Sequence, residues 1–164
     1  LNREEAIELY ETREALEAYA AGKAAERTGD RLLAEMETNL TTSAALVRQV
    51  GGSKTHLADA RTAKKFHALD LAFHMLVIEG ARNRRILKVV GDSHILTRIF
   101  QADRHKFDLE ILEQTQQEHQ AIFDAIRGRD SRSAHDAMER HIRNSLELTL
   151  READASLTDR WWAA

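Results

Sequence analysis

No proline occurs in the 164 residues of this chain, and only seven residues are glycine. Proline removes a backbone donor and clashes with the preceding turn, so its absence leaves long helices uninterrupted. Strand patterning is missing as well, because β-branched residues never alternate with polar ones over a useful length. Apolar spacing and cap residues predict six helices, at about 2–27, 30–50, 53–80, 84–101, 106–127 and 131–155. Gly29 is expected to stop the first helix and Asp30 to cap the second. Ser53 or Thr55 is expected to cap the third, with room for a break near Thr62. The tail, 156–164, with Trp161 and Trp162, falls outside the helices. Short links between long amphipathic helices imply one all-α domain over 1–164, folded as an antiparallel bundle.

Composition then narrows the chemistry. There is no cysteine, which excludes disulfides, thiolate nucleophiles and cysteine metal sites. Any metal has to be held by histidine, aspartate or glutamate, and eight histidines are available. The 24 Lys and Arg against 27 Asp and Glu give a formal net charge of −3, so the chain alone lacks the basic excess needed to grip nucleic acid. No apolar run reaches the roughly 18 residues of a membrane span. The opening Leu1-Asn2-Arg3 is neither a start methionine nor a signal peptide, and it reads as the edge of a piece cut from a longer protein.

In a bundle, ligand and metal sites lie between helices, so polar residues on apolar stripes carry the information. In the third helix Phe66, Leu69, Phe73, Val77 and Ala81 mark one face, and Asp70 and His74 fall within it. Their i,i+4 spacing stacks them on one side, where both can reach one cation. His119 completes the stripe of Thr115, Ile122, Phe123 and Ile126 in the fifth helix. His141 lies among Ala134, Ala137, Met138, Ser145 and Leu148 in the sixth. A single such histidine is ordinarily a hydrogen-bonded core residue, and an Asp–His pair can simply bond to itself. Four together are harder to satisfy, because an unpaired buried carboxylate costs several kcal/mol. One divalent ion would satisfy all four.

Two further features are noted. Arg13 sits in the first-helix stripe of Leu9, Tyr10, Leu16 and Ala20. It reads either as an ion pair with Glu17 or as a guanidinium fork aimed at a carboxylate in the cavity. His94 and Arg98 form an i,i+4 pair that faces either the same cavity or solvent. His67 lies at the edge of the third stripe, and His56, His105 and His135 read as surface or loop residues.

The stretch Leu69-Asp70-Leu71-Ala72-Phe73-His74 resembles the D-x-x-F-H block of the FCD domain, the C-terminal effector-binding domain of the FadR subfamily of GntR transcriptional regulators. Glu79-Gly80-Ala81-Arg82-Asn83 is similar to the small-residue stretch that follows it, with Arg82 standing where a glycine is common. Glu118-His119-Gln120-Ala121-Ile122 and the run from Ala134 to His141-Ile142 resemble two later blocks. Tyr10-Glu11-Thr12-Arg13 resembles the first-helix pattern. The resemblance implies six or seven helices around a central cavity, with Asp70, His74, His119 and His141 as ligands of a divalent metal. Zinc is the first expectation, with nickel, manganese or iron as alternatives. It also implies a small organic carboxylate effector, met by Arg13, Arg98, His94 and Asn83 beside the metal. DNA would be bound only through a separate N-terminal winged helix-turn-helix, by a cytoplasmic homodimer.

Two rival readings are a metal-dependent helical-bundle hydrolase and a metal-free interaction module. The hydrolase lacks support, since neither H-E-x-x-H nor Glu-x-x-His occurs. Glu118 adjoins His119, but helix geometry turns it about 100° away.

Overall fold

The computed structural model describes the backbone of residues 2–102 and 107–162, and the side chains of 2–93 and 107–151. Among the described residues the chain is helical throughout, apart from its links and one isolated antiparallel bridge between Leu57 and Asp108. The elements are α1 (Arg3–Arg13), a π-helical turn (Glu14–Ala18), α2 (Tyr19–Arg27), α3 (Asp30–Gly51), α4 (Ala60–Gly80), α5 (Arg84–Ala102), α6 (Leu109–Arg127) and α7 (Ser131–Trp162). Because α1, the π turn and α2 are continuous, they form the single rod predicted at about 2–27.

Polar side chains fix the helix starts. Asn2 and Glu5 form a reciprocal capping box at α1. Asp59, Asp108 and Asp130 accept the backbone N–H of Thr62, Ile111 and Ser133, at 2.7, 2.9 and 2.9 Å. Three sequence expectations change here. The predicted third helix begins at Ala60 rather than near Ser53, and Thr62 supplies its first turn rather than a break. Gly29 is the extended N-cap of α3, with φ −92°, and Thr28 ends α2. Helix α7 continues through the expected tail to Trp162, since no glycine or proline stops it.

Helix α2 lies against α4, α6 and α7. Its residues Ala20, Ala21, Gly22, Ala24 and Ala25 are all buried. Small side chains bury little apolar area each but let neighbouring backbones come close. A methyl group at Gly80 of α4 would lie 2.3 Å from Thr28 Oγ1, and one at Gly22 would lie 3.2 Å from the Ser131 carbonyl oxygen of α7. The main core then packs Tyr10, Met36, Phe73, Ile122, Met138 and Ile142 around this axis. A second cluster, centred on Phe66, Phe107 and Leu112, closes the end near the Leu57–Asp108 bridge. Between α4, α6, α7 and the π turn, polar groups interrupt the apolar packing.

Candidate metal centre

Helix α4 supplies Asp70 and His74, α6 supplies His119 and α7 supplies His141. The three histidines are buried, while Asp70 keeps 28% of its side-chain surface. One ligand atom from each residue lies within 4.8 Å of all the others. His74 Nε2 is 3.1 Å from His141 Nε2, and His119 Nε2 is 3.4 Å from it. Asp70 Oδ1 is 3.3 Å from His119 Nε2 and 3.7 Å from His74 Nε2. Ligands held about 2.0–2.1 Å from one metal ion are spaced about 2.9 Å at right angles and about 3.4 Å in a tetrahedron. Three of these spacings, 3.1, 3.3 and 3.4 Å, fall within that range and the fourth, 3.7 Å, lies just beyond it, so these residues fit a divalent ion.

The outer nitrogens say more. His74 Nδ1–H donates to Glu17 Oε2 at 2.5 Å, and His141 Nδ1–H donates to Glu118 Oε2 at 2.6 Å. A neutral imidazole that spends its proton on Nδ1 presents a bare lone pair at Nε2. Two such lone pairs then face each other at 3.1 Å beside a carboxylate oxygen. An inward ring of acceptors needs a cation or a shared proton, and an outer carboxylate on a ligating histidine is the usual companion of a bound metal.

Burial and mutual contact shift the titratable groups of the cluster. Burial pushes the Asp70 carboxyl up, but the His119 hydrogen bond and the neighbouring imidazoles outweigh it and hold Asp70 well below the usual carboxylate range. Burial pushes His119 below its ordinary value, against the upward pull of Asp70. Burial also raises Glu118, yet the hydrogen bond from His141, helped by those from Gln114 and Asn144, brings it below its normal range. Arg13 is driven down by burial and carried above its ordinary value by Glu17.

Phe73 orients His119 by stacking on it, with centroids 4.3 Å apart and planes at 19°. Arg13 makes the ion pair that was one of its two readings: Nε donates to Glu17 Oε1 at 2.7 Å, and the guanidinium carbon lies 5.1 Å from the Tyr10 ring centre. Asn83 caps α5 through the N–H groups of Arg85 and Ile86, and it lines a separate groove of about 630 Å³ with Arg31, Glu79 and Arg82. The side chains of His94 and Arg98, and all of His105, lie outside the described residues. His67 is buried edge-on against Phe107 in the second core cluster. His135, Asp136 and Glu139 form another, partly exposed group, but Arg132 and Arg143 already pair its two carboxylates.

Sequence reasoning named Glu17 only as an Arg13 partner and turned Glu118 away from the site. Glu118 does point away from His119, and that direction leads across the helix interface to His141. The signal for Glu17 was its place seven residues after Tyr10 and four after Arg13 on one stripe. Glu118 has no equivalent signal within its own helix.

A family model for the FCD domain matches residues 8–144. Among solved structures, Streptococcus agalactiae GntR aligns with a TM-score of 0.65 at 22% identity, covering 87% of this chain and 58% of that one. E. coli McbR/YncC aligns with a TM-score of 0.72 at 11% identity, covering 93% and 68%. A GntR-family transcriptional regulator from Pseudomonas syringae pv. tomato DC3000 aligns with a TM-score of 0.66 at 14% identity, covering 98% and 61%. At these identities the likeness is one of fold, and the chain spans about three fifths of the first and third of those proteins. A search of curated proteins finds no match.

Proposed function

The chain belongs to the FCD domain family, and on that footing we propose that it is the effector-sensing domain of a GntR-type regulator of the FadR subfamily. Asp70, His74, His119 and His141 hold one divalent ion, with zinc the first expectation and nickel, manganese or iron the alternatives. Coordination positions left open on the ion take a small organic carboxylate. Arg13, whose Nε is bound to Glu17, meets that effector through its Nη groups. The effector biases the bundle, and a coupling free energy of about 1–3 kcal/mol reaches a separate DNA-binding domain in a cytoplasmic homodimer. The observation that carries this reading is the inward convergence of three Nε2 atoms and Asp70 Oδ1, with two of the outer nitrogens donating to carboxylates.

Three neutral histidines and one aspartate would leave a divalent site at net +1. Glu17 and Glu118 add two negative charges and Arg13 adds one positive, which brings the neighbourhood to neutrality. An incoming carboxylate is therefore drawn by coordination and by Arg13 rather than by a net positive field.

The hydrolase alternative finds no support at Glu118, whose two oxygens are engaged by His141, Asn144 and Gln114. The metal-free alternative replaces the ion by a proton shared between His74 and His141. A thermal-shift series separates the readings, using metal-free protein, protein with Zn²⁺, and protein with Zn²⁺ plus a panel of small mono- and dicarboxylates. Zn²⁺ is expected to raise Tm, and at least one carboxylate is expected to raise it further only when the metal is present. Carboxylate shifts of equal size without metal, or no shift with Zn²⁺, would overturn the proposal.

A further inference from the structure

We infer that Glu17 is a positioning residue for the metal, setting the tautomer and orientation of His74 from the π turn. The inference rests on the metal-binding reading above. Glu17 is completely buried, and its two oxygens are divided between two donors. Oε1 accepts from Arg13 Nε at 2.7 Å and Oε2 accepts from His74 Nδ1 at 2.5 Å. A buried carboxylate is retained when it is paired, and here Arg13 supplies the opposite charge. With the charge matched, the second oxygen is fixed in place to take the Nδ1 proton of His74.

Local backbone geometry brings this about. Arg13 ends α1, and Glu17 lies in a π-helical turn, a wider turn that often marks a functional position. The same rod continues into the small-residue helix α2, packed on α4, so Glu17 is held against the His74 face of α4. The Arg13–Glu17–His74 chain thus links the first rod of the fold to a ligand atom on α4. Glu118 holds the outer nitrogen of His141 in the same way from α6, but it lies at a partly exposed cleft with Asn144.

The substitution Glu17→Gln discriminates well because glutamine has the same shape and only one oxygen. That oxygen can accept from Arg13 or from His74, but not from both in the native geometry. If it stays on Arg13, the amide NH₂ faces His74 Nδ1 and favours the tautomer that carries its proton on Nε2, toward the metal. E17Q is expected to bind Co²⁺ about 10–100-fold more weakly than wild type and to give an altered ligand-field spectrum when saturated. Far-UV circular dichroism checks that the variant is folded. A second measurement needs no variant: imidazole ¹⁵N shifts of metal-free wild-type protein are expected to show His74 protonated at Nδ1, with Nε2 at most sharing a proton with His141. Bare Nδ1 with protonated Nε2 in wild type would overturn the inference, as would E17Q that binds Co²⁺ with unchanged affinity and spectrum. Wild-type protein that fails to bind Co²⁺ would overturn the metal reading and this inference together. Wild-type binding with an unaffected E17Q would overturn only the role of Glu17.

Discussion

Phe73 serves two purposes, filling the main core and lying flat on the His119 ring. Phe73→Ala removes a large buried side chain and leaves a cavity, for an expected loss of about 3–5 kcal/mol in urea-induced unfolding. The four inward residues were legible because each lies on the apolar stripe of its own helix, where a polar residue stands out. Their outer partners were less legible. Arg13 and Glu17 could be paired by i,i+4 spacing, but spacing could not tell that Glu17 also holds His74, 57 residues away. Glu118 was directed away from His119 by helix geometry, correctly within α6. Only the packing of α6 on α7 turns that direction into a contact with His141. Asn83 stands as a resemblance-based expectation for effector contact, whereas its side chain caps α5.

At the scale of elements, the helices follow from the absence of proline and from aspartate and asparagine caps. The errors follow from local ambiguity. Ser53 and Thr55 are good cap types, so a sequence reading extends the helix back to them, although Asp59 takes that role. The π turn at Glu14–Ala18 leaves no mark in the apolar spacing, because α1 and α2 continue through it as one rod. The close approach of α4 to α2 yields a direct test. Gly80→Ala would drive a methyl group into Thr28 Oγ1 and tightly against Ala24, and is expected to cost about 1–3 kcal/mol. Thr28 Oγ1 is buried without a hydrogen-bond partner, so Thr28→Ala should be near neutral alone and should recover part of the loss in the double variant. Arg82 has φ 54°, in the left-handed region that glycine adopts freely. This accounts for glycine being common at that place in the resembled pattern. Arg82→Gly is expected to raise stability by a few tenths to about 1 kcal/mol, because relief of backbone strain is partly offset by the freer unfolded chain. Denaturant midpoints at constant m-value check these three substitutions and the double variant.

For the whole molecule, α2 forms a lean axis and α4, α6 and α7 meet beside it at a cluster of polar groups. An ion there would tie three helices together, and its binding energy would add to folding stability. No helix among the described residues is long and apolar enough to cross a membrane. The bundle class was readable from the sequence because helix periodicity and short links are local properties. The convergence of Asp70, His74, His119 and His141 was readable only as four separate inward positions, and the fold is what makes them neighbours. The sensing function proposed for the bundle depends on a metal ion at this cluster. The most direct measurement is elemental analysis of untagged protein, purified without a metal column, beside the His119→Ala/His141→Ala double variant. The expected result is about one divalent ion per chain in the wild type, lost from a variant with a lower Tm. Wild-type protein without metal after incubation with zinc, nickel, manganese or iron, or equal metal content in the variant, would contradict it.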